Sequence, residues 1–456
     1  MSGNLPFGFT PPGDDDGRDG GSGDGGTPNP FGFGPGGGGF DMSQLGEALQ
    51  QLGRMMSQSG GPDAGPVNWD LARDGARQLV VAEGDPSVNA TERREVEQAL
   101  DLASLWLDPV TSFPAISSGG GAWSRSEWIE ATLPSWRRIV EPVAARANES
   151  MQAMLPQTGL PEGLPPELAQ MAGPLMGMAK QMGAFMFGSQ LGQAIGTLSG
   201  EVLGAADVGI PLTDDGRAFL LPRNVAAFGS GLGVADDEVR LYVALRESAA
   251  QRLFAHVPWL RSQMTAAVEA YAAGIHIDQS KIEEAARGVD PSNPESLQEA
   301  IASGVFVPED TPEQKAALAR LETLLALVEG WVDIVVSEAA GGRLPSAERL
   351  REAMRRRRAT GGPAERTFET LVGLEMRPRR LREAAQLWAA VHEARGAEGR
   401  DDLWGHPDLL PHAEDLDGDE AIAAFVERSK PLDLSGLDDL PSVDDPQSGD
   451  DTPPTA

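Results

Sequence analysis

A chain of 456 residues can bury an extensive hydrophobic core, so it needs neither a disulfide nor a structural metal to fold. The complete lack of cysteine excludes thiolate zinc sites, cysteine nucleophiles and disulfide scaffolds, and it fits a reducing cytosol. The formal net charge of -32 would repel the phosphate backbone of a nucleic acid, which argues against general nucleic-acid binding.

The two ends of the sequence have compositions that are typical of disordered tails. Residues 1–40 are dominated by Gly, Pro, Asp and Phe, and residues 431–456 are acidic and contain several prolines. The first residues show neither the basic region nor the apolar run of a secretory signal. We therefore expect a cytoplasmic protein with a single body over residues 41–430 between two disordered tails.

Helical signals begin early in the body. The apolar spacing predicts helices over Asn68–Val81 and Thr91–Leu107, with Thr91 as the candidate N-cap of the second. Ser124 and Glu127 have the spacing of a capping box, in which a hydroxyl and a carboxylate satisfy the free N–H groups of a helix start. The sequence therefore predicts that a third helix begins at this box.

Residues 168–205 are predicted to form an apolar helix with an unusual pattern of glycines. Polar residues, among them Lys180 and Glu201, interrupt every window of the roughly 20 apolar residues that a membrane span requires. We therefore expect a buried helix and no membrane span. Glycine costs about 0.5–1 kcal/mol relative to alanine in a helix, so its recurrence at every fourth position predicts a groove for close helix packing. These positions are Gly188, Gly192, Gly196, Gly200 and Gly204.

A predicted helix over residues 236–258 carries charges within an apolar pattern, and a proline ends it. Arg246, Glu247 and Ala250 have the spacing of the His-Glu-x-x-His motif of zinc peptidases. In that motif two ligands lie one turn apart, and a general base lies beside the first. Both histidines of the motif are absent here.

A later predicted helix, over residues 311–339, places Glu329 and Asp333 on one face of an otherwise apolar surface. Buried carboxylates need charged or hydrogen-bonding partners. In glutamate-type zincins the third zinc ligand comes from a later helix of this kind, with an acidic residue one turn further on.

Arginine-rich helices are predicted within residues 343–395. Their run Arg355–Arg358 suits a solvated helix face, a contact with the acidic tail or the docking of an acidic partner. Short strands are expected at Ala218–Leu221 and Gly304–Val307. The fold class is therefore mainly α, with few short strands.

Several long runs of the sequence, spread over residues 40–430, resemble one protein family. It is the zincin-like family of high-GC Gram-positive bacteria, catalogued as candidate hydrolases or zinc-dependent metalloproteases. The runs that carry the resemblance are QLGQAIGTLSGEVLG, LYVALRESAAQRLFAHVPWLR, LARLETLLALVEGWVDIVV, LPSAERLREAMRRRR and GGPAERTFETLVGLEMRPRRLREAAQLW. The resemblance implies a zincin-like helical body, with zinc as the cofactor of the intact relatives.

Transferred to this chain, the family motif puts Glu247 at the general-base position and Glu329 at the third-ligand position. The two histidine positions hold Arg246, a permanent cation, and Ala250, which has no donor atom. We therefore expect no cofactor, and Glu329 would be a metal ligand only if a metal is bound. Arg246 can instead pair with Glu329 or Asp333, which would replace a metal bridge between two helices by an ion pair.

Two functions follow from this mapping. In the first, the protein is a zinc-metalloprotease-like pseudoenzyme that acts as a non-catalytic binding or scaffolding protein for a protein or peptide partner. In the second, it is an active metallohydrolase or metallopeptidase in which Glu247 is the general base and Glu329 a metal ligand, with further ligands from elsewhere in the chain.

Overall fold

The computed structural model describes residues 65–116, 119–154, 166–213, 216–274, 311–359 and 380–430. Both predicted tails and the predicted strand Gly304–Val307 lie outside these residues. The division of the chain into one body and two tails therefore stays a prediction.

The described chain is mainly helical, which confirms the predicted fold class. In chain order its helices are α1 (Trp69–Glu83), α2 (Ala90–Leu107), α3 (Arg125–Met154), α4 (Pro166–Ser199), α5 (Pro222–Gly229), α6 (Asp236–His256), α7 (Pro258–Ala273), α8 (Pro312–Ala340), α9 (Ala347–Ala359), α10 (Leu381–Asp401) and α11 (Asp419–Arg428). Short 3-10 helices at Asp402–Gly405, Pro407–Leu409 and Ala413–Leu416 connect the last two.

Two very short strands pair in parallel, β1 (Gly121–Ala122) and β2 (Phe219–Leu220). The predicted strand at Ala218–Leu221 is therefore confirmed in a shortened form. Beside this pair, Trp123 stacks on Phe219 with ring centroids 3.7 Å apart. The strands hold the chain before α3 against the chain before α5.

The helix starts follow their capping residues. Ser124 and Glu127 form the predicted capping box, because Glu127 N–H donates to Ser124 Oγ at 3.2 Å and Ser124 N–H donates to Glu127 Oε2 at 2.7 Å. The prediction of Thr91 as an N-cap is wrong. Asn89 caps α2 instead, since its side chain accepts the N–H groups of Thr91 and Glu92, and Glu92 completes a capping box of its own.

The glycine face of α4 packs against α1, as the spacing predicts. A Cβ atom at Gly188 would lie 2.6 Å from the carbonyl oxygen of Asn68, and one at Gly192 would lie 2.6 Å from that of Ala72. Real Cβ atoms essentially never approach another atom so closely. The two helix backbones are therefore in contact along a line that only glycine allows.

The predicted helix over residues 168–205 is too long at its C-terminal end. Helix α4 ends at Ser199, where the N–H groups of Gly200 and Glu201 turn back to the last carbonyls at 3.0 Å. Gly200 and Gly204 consequently lie outside the helical face. Within the described residues, no helix is long and apolar enough to cross a membrane.

Helices α6 and α8 pack against each other in the centre of the described chain. Helix α6 is covered by α2, α5 and α8, and α8 is covered by α6, α7 and α10. Every residue of α6 from Leu241 to Phe254 is buried, and α8 is almost completely buried from Leu324 to Val336. Polar side chains on these helices must therefore find their partners inside the protein.

Candidate functional site

The candidate site lies where α6 and α8 meet. Helix α6 contributes Arg246, Glu247 and Ala250, and α8 contributes Glu329 and Asp333. All five residues are buried. The structure thus places the residues that the sequence singled out on two packed helices, although Asp333 faces a different set of partners from Glu329.

Arg246 and Glu329 form a direct ion pair. Arg246 Nη2 donates to Glu329 Oε2 at 2.6 Å, and the two side chains are 10% and 7% exposed. Burial disfavours a charged guanidinium, but the nearby acidic groups, Glu329 foremost, together outweigh it and hold the pKa of Arg246 above its ordinary value. Arg246 is therefore a fixed cation in the core.

The second oxygen of Glu329 is also occupied. Arg358, near the end of α9, places Nη2 at 2.9 Å from Glu329 Oε1, and the same atom donates to Asp207 Oδ1 at 3.1 Å. One guanidinium nitrogen thus bridges two carboxylates. Arg357 binds the other oxygen of Asp207 at 2.9 Å.

Asp207 belongs to the loop between α4 and β2, and it is not among the residues singled out from the sequence. Its carboxylate also accepts the N–H of Leu203 at 2.9 Å. Burial works to raise the pKa of Asp207, but the charges of Arg357 and Arg358 outweigh it and hold the pKa well below its ordinary value. The one available signal was the arginine run itself, because four adjacent cations need acidic partners if they are not solvated.

Asp333 is bound by the other two inward-facing arginines of α9. Arg351 donates to it through Nε at 3.1 Å and Nη2 at 2.7 Å, and Arg355 Nη2 donates at 2.7 Å. Burial acts to raise the pKa of Asp333, but the hydrogen bonds from Arg351 and the charge of Arg246 together hold it below its ordinary value. Helix α9 therefore supplies partners to all three acids: Asp207, Glu329 and Asp333.

Glu247 has a different environment. Its carboxyl group accepts the backbone N–H of Ala206 at 3.0 Å and the side-chain N–H of Gln251 at 3.0 Å. Gly204 makes room for it, since a Cβ atom there would lie 2.4 Å from Glu247 Oε2. Burial raises the pKa of Glu247 to about 7, against the opposing effect of these hydrogen bonds.

A cavity lies between α6, α8, α9 and the loop after α4. Its volume is about 30 Å³, which is enough to hold water. Its polar lining comprises Asp207, Arg246, Glu247, Glu329 and Arg358, and its apolar lining includes Val243, Phe254, Val328, Val332 and Met354. Ala250 also lines it.

The residues at this site do not fit the zinc that the family motif implies. Three donor atoms must converge on zinc and leave one position open for water. Here Ala250 has no donor, Arg246 presents a positive charge, and both oxygens of Glu329 are bound by guanidinium groups. In the part of the chain that is described, no group of three His, Asp or Glu side chains could hold a metal ion.

The neighbouring histidine does not complete the set. His256 is exposed at the end of α6, where its Nδ1 lies 2.8 Å from the carbonyl oxygen of Arg252. Its ring stacks on Phe113 at 5.8 Å between centroids. The imidazole therefore belongs to the surface near α2 and does not line the cavity.

Comparison with known proteins places this architecture among zincin-like proteins. A crystal structure from Chloroflexus aurantiacus, described as a candidate hydrolase with a novel fold, superposes with a TM-score of 0.54 at 21% sequence identity, over 79% of this chain and 98% of that chain. At this identity the match shows a shared fold alone. No curated protein matches the chain. The family model for zincin-like metallopeptidases matches residues 67–422, which is most of the sequence, and the chain therefore belongs to the zincin-like metallopeptidase family.

Proposed function

We propose that this protein is a non-catalytic member of the family, a binding or scaffolding protein for a protein or peptide partner. Both histidine positions of the His-Glu-x-x-His motif are replaced in it, by Arg246 and Ala250. The observation that carries the proposal is the occupation of both Glu329 oxygens by Arg246 and Arg358. Two guanidinium groups neutralise this carboxylate and hold both of its oxygens, so a metal ion would have to displace an arginine and bind beside positive charge.

The proposal places the protein in the cytoplasm, which its lack of cysteine supports. The net charge of -32 supports a protein or peptide partner over a nucleic acid. In this proposal the partner binds over the cavity between α6, α8 and α9, whose charged lining suits the polar groups of a peptide.

One observation favours the alternative of an active metallohydrolase. The pKa of Glu247 is raised to about 7, which is where a general base works best at neutral pH. Glu247 also lines the cavity. This alternative needs metal ligands beyond Glu329, and it needs Arg246 and Arg358 to release that carboxylate.

Metal analysis of the purified full chain separates the two functions. The protein is incubated with zinc, dialysed and analysed for bound metal, and it is assayed for hydrolysis of an unbiased peptide library. We expect no stoichiometric zinc and no cleavage. One tightly bound zinc together with peptide cleavage, both lost in Glu329→Gln and the cleavage lost in Glu247→Gln, would establish the hydrolase. Glu269→Gln, at an exposed position on α7, is the matched control.

A further inference from the structure

Helix α9 contacts the body through four arginines and two buried apolar side chains. Its buried side chains are Leu350 and Met354, and the other inward-facing residues are Arg351, Arg355, Arg357 and Arg358. These four arginines bind Asp207, Glu329 and Asp333, whose side chains are 8%, 7% and 3% exposed. The acids are part of the body, whereas the arginines are all on one short helix.

The two ends of α9 are attached differently. At its N-terminal end Ser346 N–H donates to Glu238 at 3.0 Å, and Arg349 donates to the carbonyl oxygen of Gly233 at 3.1 Å. Before this anchor the chain turns at Gly342, which has a φ of 71°. The C-terminal half carries Arg355, Arg357 and Arg358 and covers the cavity. The anchor can therefore stay in place while the arginine-bearing half lifts away.

The closed contact is incompletely satisfied. The Nε atoms of Arg355 and Arg358 are buried and have no hydrogen-bond partner among the described residues. A buried donor without a partner costs free energy, and a buried ion pair has already lost the hydration of both charges. These costs lower the net stability of α9 in its bound position, so another segment can compete with α9 for the same acids.

We propose that α9 is a displaceable strap that occupies a binding cleft of its own protein, and that the partner is an arginine-rich helical segment which takes its place. This inference rests on the proposed binding function and names the chemistry of its partner. With the strap lifted, Asp207 and Glu329 line the open cavity and Asp333 lies one turn beyond Glu329 on α8. These three acids are complementary to cationic side chains one to two turns apart. Met354 shows that the cleft also accepts an apolar side chain between them.

The test is competition between the strap and a peptide copy of it. The probe is a fluorescein-labelled peptide with the sequence of Ser346–Ala359, and the control peptide has glutamine at the four inward-facing arginine positions. The host is the full chain with Arg355→Gln and Arg357→Gln, in which Asp333 keeps Arg351 and Asp207 keeps Arg358. No buried acid is left without a partner. Arg356→Gln, at a side chain that is 73% exposed, is the matched control host.

We expect the probe to bind the double variant about tenfold more tightly than the wild type, because weakening the strap raises the open fraction that the peptide can enter. The Arg356→Gln host should bind like the wild type, and the glutamine peptide should bind none of them. High salt should weaken binding of the probe. Equal binding of the probe to the wild type and to the folded double variant, or equal binding of the two peptides, overturns the strap.

Circular dichroism and thermal melts establish that each host is folded. If the double variant does not fold, Arg355→Gln alone carries the comparison, with an expected gain of about threefold. Mass spectrometry of the recovered peptide then separates this inference from the proposed function. Bound, intact peptide supports both. Cleaved peptide overturns the non-catalytic function, and folded hosts that neither bind nor cleave the peptide overturn the strap alone.

Discussion

Arg246 of α6 and Glu329 of α8 are bonded at 2.6 Å across 83 residues of sequence. The pair neutralises two buried charges and joins two central helices. A metal ion bound by both helices would join them in the same way. The ion pair therefore fixes the two helices to each other at the centre of the candidate site.

Removing the cation of this pair should destabilise the protein. Arg246→Met keeps most of the side-chain volume but leaves Glu329 with Arg358 as its remaining ionic partner. We expect the free energy of unfolding to fall by about 3 kcal/mol, which is the usual cost of breaking a buried pair. Urea denaturation monitored by tryptophan fluorescence measures the change.

The double variant Arg246→Met, Glu329→Gln should recover part of this loss, because the stranded negative charge is removed with its partner. Arg356→Met, on an exposed part of α9, should change stability by less than about 0.5 kcal/mol. A neutral effect of Arg246→Met would mean that the pair contributes nothing to the fold.

Glu247 should make the protein less stable as the pH rises through neutrality. Its pKa is about 7 in the folded protein and 4.5 as an ordinary glutamate, so the folded state binds the proton more tightly than the unfolded state. Its favourable contribution is fully present below about pH 4.5 and is lost between that pH and about pH 8. The loss amounts to about 3 kcal/mol.

Glu247→Gln mimics the protonated carboxyl and should remove this part of the pH dependence. Urea denaturation of both proteins at intervals from pH 5 to pH 8 gives the difference. We expect the variant to gain on the wild type as the pH rises. Parallel curves for the two proteins would show that the Glu247 carboxyl titrates normally.

Much of the helical framework could be predicted because its signals are local. The capping box at Ser124 and Glu127 is four residues long, and the burial of α6 and α8 follows from apolar spacing along each helix. The glycine face of α4 could be predicted for Gly188 and Gly192. The prediction was wrong for Gly204, because the spacing of residues along the sequence does not show where a helix ends.

The partners within the site could be predicted only in part. The sequence offered Glu329 and Asp333 as alternatives for Arg246, and the structure gives the direct bond to Glu329. Asp207 was missed because its contact with Arg358 joins residues 151 positions apart, and no local pattern encodes that distance. A solvated helix face was one of the predictions for the arginine run. Most of the run instead faces inward, because Glu329 and Asp333 of α8 and Asp207 of the loop after α4 bind its guanidinium groups.

The ion pairs between Asp207 and its arginines should make the free energy of unfolding depend on pH in the acid range. The folded pKa of Asp207 lies below its ordinary value of 3.8, so its contribution is present above that pH and is lost as the pH falls through it. Asp207→Asn should lower stability at pH 7 by about 2 kcal/mol and flatten the profile below pH 4. Acid titration followed by circular dichroism measures the flattening.

The control for this variant is Asp70→Asn, because the Asp70 side chain is 88% exposed. It should leave both the stability at pH 7 and the acid limb close to those of the wild type. If Asp207→Asn and Asp70→Asn gave the same dependence of stability on pH, the ion pair between Arg358 and Asp207 would contribute nothing measurable to the free energy of unfolding.

The same substitution at two glycines of α4 should have opposite effects. At Gly192 a Cβ atom would lie 2.6 Å from the carbonyl oxygen of Ala72, so Gly192→Ala must push α1 away and should cost about 2 kcal/mol. At Gly177 nothing lies within 4 Å, and Gly177→Ala should stabilise the helix by about 0.5–1 kcal/mol. Thermal melts of the two variants compare them directly. Stabilisation by both would contradict the close approach of α4 and α1.

Restoring the two imidazoles tests the mapping of the family motif onto α6. In Arg246→His, Ala250→His the two histidines lie one helical turn apart, and both positions line the same cavity as Glu329. The substitution also removes the cation that binds Glu329 Oε2, although Arg358 still binds the other oxygen. We therefore expect the variant to retain zinc through dialysis and to melt at a higher temperature with zinc than without it. Adding Glu329→Gln should weaken zinc binding about 10- to 100-fold, and adding Glu269→Gln should not. If the rebuilt protein gains no zinc while remaining folded, then Arg246 and Ala250 do not stand where the ligands of the family stand.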